Sequence, residues 1–178
     1  MKKETIILVL LVLGIGILSG MIFTNAKKDS VGNNPSVAAA PSIDYRQKIQ
    51  ALEKVVQQEP RNRNAWVQLG HNYFDSDQPV QAIDAYDQAL ALDGNDPNVL
   101  TDQGIMYRKV GLTDKAIANF STANKLSPRH IQSLYNLGIV YRYDTKELDK
   151  AKEVWSRYLE ITPTGDGAEQ VRAMLNQM

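Results

Sequence analysis

The 178-residue chain contains no cysteine. That absence excludes disulfides, cysteine-ligated zinc, thiol catalysis and haem attachment through Cys-x-x-Cys-His. It also suits a compartment outside the cytoplasm, where stray thiols mispair. Histidine is nearly as scarce: His71 and His130 are the only two, too few and too scattered for a metal site. Excess charge is missing as well, since 20 basic residues balance 20 acidic ones, and no segment carries the basic stripe that nucleic-acid binding requires. "DGNDPN", residues 93–98, has oxygens but lacks the spacing and closing glutamate of a calcium loop. "GIGILSG" lies in an apolar run and precedes no strand pattern, so it does not read as a nucleotide loop. No serine stands in a strained elbow motif and no pair of acids stands out. The expectation is a protein without catalytic chemistry, cofactor, metal or nucleic-acid partner.

Charged residues are also absent from "TIILVLLVLGIGILSGMIF", Thr5 to Phe23, across nineteen positions. A helix of that length rises by about 28 Å, close to the hydrocarbon thickness of a bilayer, so this stretch reads as a transmembrane helix within an N-terminal segment 1–28. Lys2 and Lys3 precede it and Lys27 and Lys28 follow it. With the terminal amine counted, the short head faces the cytoplasm and the rest lies outside. The expected location is a bacterial inner membrane, crossed once, with the C-terminal part in the periplasm or an equivalent space. A cleaved signal peptide competes with this reading, because Thr24 and Ala26 offer small residues before a cleavage site. Gly16 and Gly20 form a small-xxx-small pair of the kind that lets two spans approach, which ordinary glycine content also explains. Residues 29–42, "DSVGNNPSVAAAPS", hold few bulky apolar groups and are punctuated by Pro35 and Pro41. They read as a flexible linker.

From residue 43 onward the chain repeats itself. Trp66, Leu69, Gly70, Tyr73, Ala82, Tyr86, Ala89 and Leu92 are followed 34 residues later by Leu100, Gly104, Tyr107, Ala116, Phe120, Ala123 and Leu126, then Pro128. A third pass gives Leu134, Leu137, Gly138 and Tyr141 and, after one inserted residue near "YDTKELDK", Ala151, Trp155, Tyr158, Ile161 and Pro163. Steps of three, four and seven place each first set on one helix face. Glycine inside a helix costs up to about 1 kcal/mol against alanine. Paying that three times implies that a neighbouring helix passes too close for a Cβ. The alanine and aromatic set does the same for a returning helix, with small residues at the crossing and aromatics filling beside them. "FDSDQP", "KVGLT" and "YDTKEL" read as tight turns between the two helices. Pro128, Pro163 and the "DGNDP" loop end the second helices.

These residues resemble the tetratricopeptide repeat family over residues 43–178, with Gln103 replacing the usual leucine before Gly104. The resemblance implies an all-α solenoid of antiparallel helix pairs in a short right-handed superhelix of about eight helices. The units are repeat 1 at 63–96, repeat 2 at 97–130 and repeat 3 at 131–165. Residues 43–60, with Ile49, Leu52, Val55 and Val56, read as an N-terminal capping helix covering unit one. Residues 166–178, with Ala168, Val171 and Leu175, read as the C-terminal cap, because each solenoid unit is stable only against its neighbours.

In this family the first helices line a concave groove. Carried onto this sequence, the lining candidates are Asn64, Val67, Gln68, His71, Phe74 and Asp75 in unit one. Unit two gives Asn98, Thr101, Asp102, Ile105, Arg108 and Lys109, and unit three gives Gln132, Tyr135, Asn136, Ile139, Arg142 and Tyr143. Amides for a peptide backbone, apolar anchors and a basic trio of Arg108, Lys109 and Arg142 suit an extended peptide or protein partner. Val67 and His71 stand where a carboxylate-clamping groove carries lysine and asparagine, which argues against a chaperone-tail clamp. Residues 63–96 hold one basic residue against six aspartates, whereas the chain from 97 onward has eleven basic against nine acidic. One end would then attract a basic partner and the other an acidic one; solubilisation explains the asymmetry equally well. The functional expectation is a membrane-anchored interaction module or assembly scaffold outside the cytoplasm. The span and repeats are also similar to periplasmic repeat domains of cytochrome c maturation factors, which leaves a chaperone-like role open. So does a self-associating scaffold, with solenoids stacking into a homo-oligomer.

Overall fold

A computed structural model of the chain describes residues 44–178. The expected membrane span at 5–23 and the linker at 29–42 lie outside these residues. Among the described residues no helix is long and apolar enough to cross a membrane, and the secondary structure is helical throughout.

The capping helix α1 (Tyr45–Gln58) is followed by three helix pairs. These are α2 (Arg63–Asp75) with α3 (Pro79–Leu92), α4 (Pro97–Lys109) with α5 (Thr113–Leu126), and α6 (Ile131–Ile139) with α7 (Leu148–Ile161); α8 (Asp166–Leu175) closes the domain. First helices start on side-chain caps that satisfy otherwise orphaned N–H groups. Asn62 accepts from the Ala65 N–H at 3.1 Å, and Asp96 accepts from the N–H groups of Asn98 and Val99 at 3.0 and 3.2 Å. His130 Nδ1 accepts from Ser133 at 3.2 Å. Pro79 and Pro97 occupy the first positions of α3 and α4, where the missing N–H costs nothing.

Each pair is joined by the same turn. The N–H of Gln78 reaches the carbonyl of Tyr73 at 2.9 Å, and that of Leu112 reaches Tyr107 at 2.8 Å. In unit three Glu147 reaches Tyr141, also at 2.8 Å but one residue longer. The insertion seen in the sequence is absorbed by widening the last turn of the first helix into a π-type coil, Val140–Asp144. One residue per turn has positive φ: Asp77 at 60°, Gly111 at 79° and Lys146 at 62°.

The glycine argument holds, with one refinement. The group lying over each glycine is the aromatic ring of the returning helix, not its backbone. A Cβ on Gly104 would stand 2.6 Å from Phe120 Cε1, and one on Gly70 would stand 2.5 Å from Tyr86 Cδ1. A Cβ on Gly138 would meet the indole of Trp155. All three aromatics are fully buried, as are Ala82, Ala116 and Ala151 at the crossings. The Trp155 indole also donates to the Tyr135 carbonyl at 3.2 Å. Leu92 and Leu126, read as pattern residues of the second helices, are 40% and 42% exposed at the last residues of α3 and α5.

Polar clasps join the units. Gln103, 2% exposed, donates to Asp87 Oδ1 at 2.6 Å and to the Ile83 carbonyl at 3.2 Å, and accepts from Asn119 at 2.7 Å. A buried amide so fully bonded replaces an apolar contact without leaving an orphan. Tyr73 donates to Glu53 of α1 at 2.6 Å, and Tyr107 reaches Asp87, the residue 34 positions after Glu53, at 3.5 Å. Ile49 and Val56 of α1, and Ala168 and Val171 of α8, are buried, and Leu52, Val55 and Leu175 are partly buried against the core.

Candidate peptide-binding face

Helix α2 approaches α4 and α4 approaches α6 more closely than the second helices approach one another. A stack whose first helices are closer together than its second helices curves toward the first, so α2, α4 and α6 line the inner side. The 34-residue period sets the candidate residues in rows across it. His71, Ile105 and Ile139 form one row, and Gln68, Asp102 and Asn136 the next. Phe74, Arg108 and Arg142 form a third row, and Asn64, Asn98 and Gln132 a fourth. Val67, Phe74, Ile105, Tyr135 and Ile139 are half-buried, packed against the core from outside. Asn64, Gln68 and Gln132 are exposed. The face therefore offers apolar ledges beside exposed amides, the composition that holds an extended backbone.

Several expected contacts are spent internally. Thr101 is 2% exposed and donates to the Pro97 carbonyl at 2.7 Å, so it does not line the open face. The basic trio does not converge on one ligand. Arg108 clasps Asp144 with two bonds, Nε to Oδ2 at 2.5 Å and a terminal nitrogen to Oδ1 at 3.0 Å, which raises its already high pKa. Lys109 pairs with Asp77 of unit one. Arg142 donates to the Met174 carbonyl at the end of α8 and lies 5.0 Å over the Tyr143 ring. These cations fasten turns and cap to the solenoid.

Carboxylates dominate what remains. His71 Nε2 lies 3.2 Å from Asp102 Oδ2, and that hydrogen bond, reinforced by the charges of Asp102, Asp75 and Asp96, raises the imidazole pKa above 6.5. His130 goes the other way. Burial lowers its pKa below 6.5 despite Asp102 and Asp96, in keeping with the bare Nδ1 that caps α6 and an Nε2 lying 3.0 Å from Asn98 Oδ1. Both histidines thus serve structure and surface charge. Among the described residues no group of three or more metal-ligating side chains comes together.

The sequence did not point to a groove of about 390 Å³ between α1 and α3, lined by Val56, Trp66, Leu69 and Ala85 with Glu53 and Asp84 at its sides. A smaller hollow of about 280 Å³ between α6 and α8 is bordered by Tyr135, Asn136 and Tyr158. The Tyr135 and Tyr158 rings lie 6.1 Å apart.

Residues 44–101 match the model of a tetratricopeptide repeat family. Among curated proteins, the cytochrome c-type biogenesis protein CycH of Pseudomonas aeruginosa is 29% identical over 122 residues, covering 66% of this chain and 29% of that protein. The photosystem I assembly protein Ycf3 of Acaryochloris marina is 29% identical over 101 residues, covering 47% of this chain and 60% of that one. The chain thus spans less than two thirds of either relative. Among solved structures, YrrB, titled a TPR protein with an unusual peptide-binding site, superposes with a TM-score of 0.66 at 24% identity. That match covers 72% of this chain and 66% of YrrB.

Proposed function

Because the chain carries tetratricopeptide repeats and folds as their solenoid, a fold built for protein–protein interaction, we propose that it is a membrane-anchored docking module of a bacterial envelope. The span at 5–23 would hold it in the inner membrane and the linker at 29–42 would carry the solenoid into the periplasm. There the inner side of α2, α4 and α6 would hold an extended segment of a protein being assembled. Tethering raises the local concentration of a partner without adding contacts. The observation that carries the docking reading is the ladder of half-buried apolar residues beside exposed amides on the first helices. A fold likeness to a protein with a peptide-binding site and a similarity to an assembly protein support it. We assign no catalytic step to it.

A second reading, service in cytochrome c maturation, is favoured by the similarity to CycH. The lack of native cysteine makes the location simple to test. Ser121 is exposed on α5, and Ser121→Cys gives a single thiol. A membrane-impermeant maleimide should label it in spheroplasts; labelling only after lysis would defeat the periplasmic assignment. Gentle crosslinking in intact membranes then identifies the partner. Recovery of cytochromes or ligation proteins supports maturation, and recovery of the chain alone supports a self-associating scaffold in place of a docking module.

A further inference from the structure

The three aromatics over the glycines are Tyr86, Phe120 and Trp155. Unit two carries no polar atom on its ring, and unit three bonds its indole to Tyr135. Tyr86 alone has a fully buried hydroxyl without a hydrogen-bond partner. A buried polar group without a hydrogen bond is destabilising, and a phenylalanine would fill the same space. The ring crosses the α2 seam at Gly70 and lies edge-on to His71, with centroids 5.7 Å apart. Burial raises the pKa of the hydroxyl, and the charges of Asp102 and Asp75 add to the rise.

His71, beside the ring, directs its Nε2 to Asp102. Charge on this part of the inner face is unbalanced. Asp96 has Arg63 at 2.6 Å and Asp77 has Lys109, but among the described residues Asp102 has only His71 and Asp75 has no cation paired with it. The side chain of Asp102 keeps 33% of its surface exposed and that of His71 46%.

Resting on the docking reading above, we propose that this is a cation subsite that receives an arginine or lysine side chain of the bound peptide. His71 holds the place of the incoming group. The guanidinium or ammonium takes over Asp102, His71 swings aside, and the uncovered Tyr86 hydroxyl accepts the second N–H. Asp75, one turn along α2, adds attraction. The partner segment is therefore basic where it crosses from unit one to unit two.

The test uses the ¹⁵N-labelled full chain in detergent micelles, titrated with N-acetylarginine amide and with its neutral isostere N-acetylcitrulline amide. The arginine compound should shift the amides of Gly70, His71 and Asp102 in a saturable way, and the citrulline compound should not. Asp102→Asn should weaken binding about fivefold, the loss of one exposed charge contact. Tyr86→Phe should weaken it about threefold while leaving Tm unchanged or higher, since Phe120 shows that the ring alone packs. Equal shifts with both compounds, or no shifts at these amides, overturn the subsite. Undiminished binding to Tyr86→Phe removes the hydroxyl from it. Docking itself is read separately, by photocrosslinking from the α2 and α6 face. A captured partner combined with a failed arginine titration sinks only the cation subsite.

Discussion

Replacing Gly104 with alanine sets two effects of opposite sign against each other. Helix propensity favours alanine by about 1 kcal/mol. Against this, the new Cβ would stand 2.6, 2.9 and 3.0 Å from three carbons of the Phe120 ring, whereas carbon atoms rest at about 3.5–4.0 Å. The ring must retreat by about 1 Å. It cannot do so freely, because Phe120 is fully buried and flanked by Ala116 and Ala123, also fully buried. Overpacking of this kind costs about 1–3 kcal/mol, so the net expectation is a loss of up to about 2 kcal/mol once the propensity gain of about 1 kcal/mol is subtracted. Urea unfolding of the full chain in micelles, followed by circular dichroism at 222 nm, measures it. Gly94→Ala serves as the control, because its nearest contact is a carbonyl oxygen at 3.6 Å, and it should be nearly neutral. Phe120→Leu gives the ring position slack, so the cost of Gly104→Ala should shrink in that background. If Gly104→Ala proved more stable than the parent by the propensity gain, the seam packing described here would be wrong.

Other perturbations have defined signs. Arg108→Ala should cost about 0.5–1 kcal/mol at low salt and less at high salt, since the Asp144 pair is partly exposed; denaturation at two ionic strengths checks it. Lys146→Gly should stabilise by up to about 1 kcal/mol, because Lys146 has φ 62° where unit two uses glycine, read as a rise in Tm. The two histidines give opposite pH slopes. His71, raised above 6.5, contributes stability that is full below 6.5 and is lost as pH rises through its folded pKa. His130, lowered below 6.5, contributes stability that is full above 6.5 and is lost as pH falls through its folded pKa. Their joint contribution therefore peaks near pH 6.5. Imidazole titration by NMR should place the two midpoints on opposite sides of that value, and a shared midpoint would contradict the assignment.

How far the sequence reaches can be judged from particular residues. The glycine, alanine and aromatic spacings are local and periodic, so helix pairing and turns were legible. The fate of Arg108, Lys109 and Arg142 was not. Their partners Asp144, Asp77 and the Met174 carbonyl lie 32 to 36 residues away, and which acid a long cation reaches depends on how units stack. Thr101 occupies the row of Val67 and Tyr135, but its short side chain bonds back to the Pro97 carbonyl and lies against His130. The α1 to α3 groove depends on how α1 tilts against α2 and α3, which spacing along the chain does not encode. Tyr86 did leave a signal: a hydroxyl where the other units carry Phe120 and Trp155.

The most direct trial of the docking claim places a photocrosslinking residue at Gln68 or Asn136, on the inner face, or at Glu153 on the exposed side of α7, in the full chain in native membranes. The account predicts that Gln68 and Asn136 capture the same protein partner and that Glu153 does not. Capture from Glu153, with none from the α2 and α6 positions, would contradict it.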